Sequence, residues 1–489
     1  MKNLVPIILS ILLLWTSLSS SPLRVESMGG VTICIRDEEN DPIAVNPARV
    51  SFVKKTKLLG SIAPSNRSYK SESKEEYKTT PPIHENNRYY ESENSASILG
   101  IDGLGYIKPS AMLGLGAKIG YFNESSKNFN NYRKVGKWEW EWTDEGPKYE
   151  YISTATYQSK HEDTSSLNPI NLNLLAGYNL GIVTAGLSLN LTPSYKITTE
   201  NKYTQIDDEY YVPFSTVNVD SSKYETTQSR NIITLGTVLQ PTDEIVLDVV
   251  LGFELADSES RQVSDVENNV EQWKDDKDLY PVKKTKISKT NIGLLFNYKI
   301  SEIFIIGAGV KIVPGEITDT MEMKVIKYDS AKTKSQEFVI SPGIGITPTK
   351  TAIIGAELSI HNTTVEKEMF SLTGSKISTV KENFSMILAR IGAEKYVIED
   401  VLAIRLGAVK VISFNRESKE EIENKVEKDT FYNYGPISIE YLSPTSITWN
   451  YFSAGLAFKV AENIILEYGL IDSIFSPFTK HQVLVKVMF

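Results

Sequence analysis

Four histidines are the first candidates for acid–base or metal chemistry: His84, His161, His361 and His481. They are scattered and form no metal-ligand spacing. No Ser, Asp or Glu is tied to any of them by motif, so a nucleophile–base pair has no support. The single cysteine, Cys34, excludes a Cys-based zinc site and a disulfide framework, and reads as a small buried residue. Gly114 to Gly120 spells GLGAKIG, loosely like a dinucleotide-binding loop, but no strand–turn–helix context follows it. Glycines in such a stretch mark bends or close packing instead. The pairs Asp275-Asp276 and Glu420-Glu421 are most simply solvated loop faces. The expectation is a protein that is not an enzyme, with no catalytic residue, no metal site and no cofactor.

Binding chemistry is better represented. Val246, Asp248, Val250, Glu254, Ile303, Ile305, Lys311, Tyr451, Lys459, Ile465 and Glu467 fall on one face of a set of alternating segments. Apolar side chains interleave there with a few charges. Such a surface suits a hydrophobic ligand with a polar head. Packing around a plug would give the same list.

The elements that must position these residues are strands. In Asn231 to Leu255, Ile233, Leu235, Thr237 and Leu239 alternate on one face. A short turn, Gln240 to Glu244, leads to Ile245, Leu247, Val249, Leu251, Phe253 and Leu255. The other face carries Val246, Asp248, Val250, Gly252 and Glu254. Period-2 patterning of this kind specifies strand. The same hairpin recurs with turns at Ser301-Glu302, Pro348 to Lys350, Glu399-Asp400 and Ala461 to Asn463, and twice more weakly before residue 192. Between hairpins lie polar stretches at 64–94, 123–163, 198–230, 256–290 and 417–445. Short turns thus alternate with long loops in constant phase, which is the pattern of an outer-membrane barrel. About 10 residues per strand, tilted near 45°, match its apolar band. Counting strands, with Arg49 to Ile62 as the first, gives about sixteen. Trp138, Trp140 and Trp142 share one face and suit an aromatic girdle at the outer rim, or ordinary loop packing.

Composition agrees with this. The chain has 489 residues, 41% of them hydrophobic, and a mean hydropathy of −0.20. Beyond the first 20 residues it has no uncharged apolar run of about 18 or more, so no spanning helix is expected in its body. A net charge of −9 argues against nucleic acid as partner. Lys2, the apolar core from Leu4 to Trp15 and the small residues Ser17 to Ser21 read as a secretory signal peptide. The last strand alternates Val483, Val485, Val487 and the terminal Phe489 on one face. It resembles the signal read by the barrel-assembly machinery.

After the signal peptide come Met28-Gly29-Gly30-Val31, the acidic Asp37-Glu38, and then Asn46-Pro47-Ala48. This pattern resembles the start of FadL-type outer-membrane transporters, including their PorV-like branch. The Gly-Leu that often follows is replaced by Arg49-Val50. The resemblance in motif covers about 25 residues. It implies a short N-terminal plug, with Asp37, Glu38, Asn46, Pro47 and Ala48 as its hatch residues. It also implies fourteen strands, a number we prefer to sixteen because a weak N-terminal hairpin can be extra loop. The expected organisation is a signal peptide at 1–20, a hatch at 21–48 and a barrel with long external loops at 49–489. The expected fold is all-β, a transmembrane antiparallel barrel of 14–16 strands. The expected function is passive passage of hydrophobic compounds such as long-chain fatty acids across the bacterial outer membrane. Display of the loops for adhesion, or support of secretion, is the alternative. The expected partners are a hydrophobic small molecule, outer-membrane lipid and the assembly machinery, with the chain acting as a monomer.

Overall fold

A computed structural model describes residues 28, 31, 46–53, 56–79, 84–138, 153–167, 169–208, 216–267, 270–272, 282–322, 327–371, 373–399, 401–422, 437–443, 447–471 and 480–488. The segment expected to be a signal peptide, Asp37, Glu38, Cys34, Trp140, Trp142 and Phe489 lie outside these residues.

A short 3-10 turn, Pro47–Phe52, precedes the first strand. Nineteen strands follow among the described residues. They are β1 (Lys57–Thr79), β2 (His84–Ile107), β3 (Leu113–Trp138), β4 (Ser153–Leu167), β5 (Ile170–Asn179), β6 (Val183–Asp208) and β7 (Thr216–Leu239). Then come β8 (Ile245–Glu267), β9 (Val270–Gln272), β10 (Val282–Lys299), β11 (Phe304–Glu322), β12 (Lys327–Thr349) and β13 (Ala352–Phe370). The last are β14 (Lys376–Ile398), β15 (Leu402–Ile422), β16 (Ile437–Ser443), β17 (Ile447–Ala461), β18 (Ile464–Ile471) and β19 (Lys480–Met488). All pair antiparallel, and β1 pairs with both β2 and β19, so the sheet closes on itself. Closure leaves no edge strand to be satisfied in lipid.

Three of the nineteen are not separate staves. β4 and β5 both bridge β3 to β6, β9 and β10 both pair with β8, and β16 and β17 both pair with β15. The wall is a closed barrel of sixteen strands. The preferred count of fourteen is therefore corrected. The weak N-terminal hairpin is wall, because β1, β2 and β3 pair along their whole length. The first strand also starts later than expected, at Lys57, because Arg49 belongs to the 3-10 turn.

The polar stretches needed the larger correction. They are for the most part strand, not loop. β6 runs 26 residues and β7 24, through segments with no apolar alternation. Hydropathy reports which face meets lipid, and beyond the bilayer neither face does. Backbone pairing needs no such signal and continues. With about 10 residues sufficient to cross, the longer strands carry the wall on the order of 30 Å further.

The short turns share one rim. Gln240 N–H donates to Ile182 O (2.9 Å), Lys299 to Glu244 (2.9 Å), Thr347 to Ile303 (2.8 Å), Tyr396 to Thr351 (2.8 Å) and Lys459 to Val401 (2.8 Å). Each bond ties a turn to its neighbour, so Asp243, Ser301, Lys350 and Glu462 lie at the same end. β1 starts and β19 ends there too, which an even strand number requires.

Facing follows the period of two. Leu235, Phe253, Leu255, Leu294, Phe296 and Leu466 are exposed on the outside, Leu255 at 59%. Their neighbours Gly236, Asp248, Asn297 and Glu467 turn inward and are buried or nearly so. An apolar exterior of this extent has a physical home only in lipid.

Candidate functional site

The Asn-Pro-Ala segment sits inside the lumen, against the wall near the short-turn end. Asn46 caps the 3-10 turn: its Oδ1 accepts from Ala48 N–H at 3.0 Å. Pro47 occupies the first turn position, where its fixed φ is already suitable and its missing N–H costs nothing. Asn46 Nδ2 reaches the wall, donating to Thr237 O and to Asp248 Oδ1, both at 3.0 Å.

Arg49 completes the seat. Its Nε donates to Asp248 Oδ1 at 2.8 Å and its Nη2 to Asp248 Oδ2 at 2.5 Å. Arg49 is 7% exposed and Asp248 1%. A two-pronged guanidinium–carboxylate pair fixes direction as well as charge. One carboxylate thus holds both Asn46 and Arg49 and keys the turn to β8.

Glycine makes the approach possible. Gly114, Gly177, Gly186 and Gly236 are directly opposite one another on β3, β5, β6 and β7, forming a level row. A Cβ at Gly114 would collide with the Val50 carbonyl, at Gly186 with Ala48 backbone, and at Gly236 with Asn46 Oδ1. At Gly177 it would stand 2.8 Å from Val50 Cγ1. The row is a recess in which main chain lies directly on the wall. Apolar packing flanks it: Val50 and Val53 cluster with Leu59, Tyr106 and Leu175. Ala48, with Phe52 beside it, clusters with Val238 and Val246.

Of the lumen positions read from sequence, Val246, Asp248, Val250, Glu254, Ile305 and Lys311 share the inner face of β8 and β11, and Tyr451, Lys459, Ile465 and Glu467 that of β17 and β18. Asp248 and Val246 touch the seat. Ile303 lies in a short turn, 54% exposed. The other side of the lumen carries buried ion pairs. Arg405 binds Glu394 Oε2 at 2.7 Å and Glu467 Oε2 at 2.8 Å. Arg390 binds Glu357 Oε1 at 2.6 Å and Ser359 Oγ at 2.9 Å. Further from the short turns, Arg230 of β7 pairs with Glu254 of β8 at 2.8 Å on the side of the seat, and His361 of β13 with Glu337 of β12 at 3.3 Å on the other. His481 is exposed and bonded to Tyr468 at 2.7 Å.

Sequence reading missed Arg49 as a functional residue; it stands where the resemblance expects glycine, and the departure is the anchor. It also missed the glycine row. The signal for both was present: four glycines, each near a short turn, and one arginine beside the Asn-Pro-Ala.

A wall closed on itself, apolar outside and lined with paired charges inside, defines a transmembrane β-barrel. No protein-family model matches the chain. No curated protein matches it either. Among solved structures it is similar to a FadL homologue of Pseudomonas aeruginosa, at 8% identity over 95% of this chain and 97% of that one, with a TM-score of 0.43. It is also similar to the toluene transporter TbuX of Ralstonia pickettii, at 11% identity over 96% and 99%, with a TM-score of 0.35. The toluene transporter TodX of P. putida gives 12% identity over 96% and 99%, with a TM-score of 0.34.

Proposed function

We propose that this chain is an integral bacterial outer-membrane channel through which hydrophobic compounds, long-chain fatty acids among them, pass without energy input. Residues 21–48 are its hatch. The observation that carries the reading is the seat of Asn46 to Phe52 on the inner wall, keyed by Arg49 and Asp248. A chain that buries an ion pair to hold its own segment inside its lumen is regulating that lumen. The alternation of Val483, Val485 and Val487 in the last strand supports insertion by the barrel-assembly machinery, and a wall that closes within one chain needs no second copy to complete it.

Uptake of a labelled long-chain fatty acid into liposomes carrying the purified protein tests this. Uptake above that of protein-free liposomes, raised by deleting residues 21–44, is the expected result. Equal uptake with and without protein would overturn it. In that case the second reading gains: a tall barrel whose outer wall, extended by strands such as β6 and β7, is displayed for adhesion or supports secretion.

A further inference from the structure

The outer face of the wall changes character where β10 to β14 leave the apolar band. Ile292, Ile312 and Phe338 stand level with one another as the last apolar row of β10, β11 and β12. One step further from the short turns come Thr290, Pro314, Gln336, Thr364 and Asn383, on the same outer face. The step after that carries Ser288, Glu316, Lys334, Glu366 and Lys381.

A recess of 590 Å³ is sunk into this face, lined by both polar rows. Pro314 opens it. The proline has no N–H to give to β10, and its pairing with Gln336 of β12 is intact. The β10–β11 ladder accordingly stops at Lys289 to Gly315 and resumes at Ile292 to Ile312. Gly315 adds no side chain, and the flanking Ser288, Thr290 and Thr364 are short. The wall is therefore shallow between its longer neighbours.

The lining mixes hydroxyls and amides with ions of both signs. Sign alternates strand by strand through Glu316, Lys334, Glu366 and Lys381, so the formal charges cancel. Lys381 Nζ stands 3.3 Å from Glu366 Oε1. An anion would call for a surplus of positive charge, and a hydrocarbon for an apolar lining. Neutral donors and acceptors among balanced ions suit an uncharged, many-hydroxyl group, because each hydroxyl both donates and accepts. The position of the recess supplies the rest. Directly beneath it is the apolar row that meets acyl chains, so an amphiphile standing in the bilayer would lay its chains on that row and its head in the recess. We propose that this recess binds the uncharged saccharide head of a glycolipid in the leaflet facing away from the short turns. The site lies on the outside of the wall, and it does not depend on what passes through the lumen.

The test uses the full chain purified in detergent and three lipids with identical acyl chains: diglucosyl diacylglycerol, phosphatidylglycerol and plain diacylglycerol. Lipid retained after washing is counted by mass spectrometry, and heat-modified gel mobility reports that each protein is a folded barrel. The diglucosyl lipid should be retained several-fold more than either of the others, equally at low and raised salt, since a neutral head has no charge to screen. Thr364→Trp fills the recess from an exposed position and should lower its retention to that of plain diacylglycerol. Gln336→Ala with Asn383→Ala, which removes both amides without adding bulk, should lower it in part. Asn231→Trp is the control: Asn231 is exposed on the outer face of β7, opposite Leu255, and the change should have no effect. Equal retention of the three lipids, or a preference that survives Thr364→Trp in a folded barrel, would overturn the site. Preference for phosphatidylglycerol, lost at raised salt, would make it an anion site and overturn the saccharide assignment. Displacement of the diglucosyl lipid by an equal concentration of free disaccharide would overturn the membrane as the source of the ligand.

Discussion

On the β6–β8 side of the lumen, charge crosses from the N-terminal segment to the wall, Arg49 to Asp248. On the β13–β15 side, the charges run within the wall: Arg390 to Glu357, and Arg405 to Glu394 on the neighbouring strand and to Glu467 on β18. The two sides share a row of four inward glycines, here Gly345, Gly355, Gly392 and Gly407, and the same closeness of main chain, here Met28 on Gly392. What differs is where the ionic bonds beside those rows go; further along the β7–β8 wall Arg230 pairs with Glu254 within the wall, as the ions opposite do. Ions that pair inside the wall hold strands to one another. An ion pair that leaves the wall holds a segment to it. Buried charge therefore separates a structural wall from an anchoring wall, although both look alike in composition.

The largest effect expected from that contrast is at Arg405. Arg405→Met would leave Glu394 and Glu467 buried without the guanidinium between them. Breaking a buried pair from one side costs about 3–5 kcal/mol, and two carboxylates place this at the upper end. Thermal unfolding of the purified barrel in detergent should shift sharply downward, with basal conductance of the surviving folded protein unchanged. A normal melting temperature would mean that these ions do not brace the wall.

Asp248→Ala comes next and should fail in the opposite way. It strands Arg49 and removes one of the partners of Asn46, again about 3–5 kcal/mol, at the lower end. That loss is charged to the seat and not to the strand pairing of β8. Limited proteolysis should cut within residues 46–53, and conductance should rise, while the barrel melts almost normally. Replacing both partners, with Arg49→Leu and Asp248→Leu, should be milder than either single change, because no charge is left buried alone. If Asp248→Ala lowers the melting temperature as much as Arg405→Met does, the distinction between the walls collapses.

A smaller effect is expected at the glycines. Gly236→Ala drives a Cβ into Asn46 Oδ1 and leaves 2.7 Å to Pro47 Cδ. Overpacking of this kind costs about 1–3 kcal/mol, and here it falls on the turn. Protease sensitivity of residues 46–53 should increase, though less than in Asp248→Ala.

The sequence made one part of this molecule far more legible than the rest. Wherever strands cross lipid, alternation such as Leu247, Val249, Leu251 around Asp248 and Val250 announced both strand and facing, since water and lipid sort side chains strictly. Beyond the bilayer, β6 and β7 read as loop because Lys, Glu, Ser and Thr are acceptable on both faces there. Asn46-Pro47-Ala48 stood out in the sequence through a resemblance. Their mates did not, because Arg49 and Asp248 are 199 residues apart and only the closed sheet brings them together. The glycine rows were invisible for a similar reason. Gly114 and Gly236 look like isolated strand glycines until register sets them level.

The finest test concerns how the structural wall repairs a gap in itself. Between β12 and β13 the ladder runs Ile340 to Ile360 and resumes at Gly343 to Glu357, leaving Ser341 and Pro342 unpaired with β13. Pro342 has no N–H to give, so a rung cannot form in full. Side chains bridge the break instead. Ser341 Oγ donates to Ser359 Oγ at 2.8 Å, and Ser359 Oγ donates to Glu357 Oε1 at 3.0 Å. Arg390 Nη1 also donates to Ser359 Oγ, at 2.9 Å. Ser341→Ala removes one neutral hydrogen bond and leaves Ser359 with Arg390 and Glu357, so the loss should be about 0.5–1.5 kcal/mol. Amide exchange should quicken at the β12–β13 gap alone, and residues 46–53 should stay as protected as before. Loosening at residues 46–53 would show that the two walls are coupled through the barrel, and that neither can be assigned a separate role.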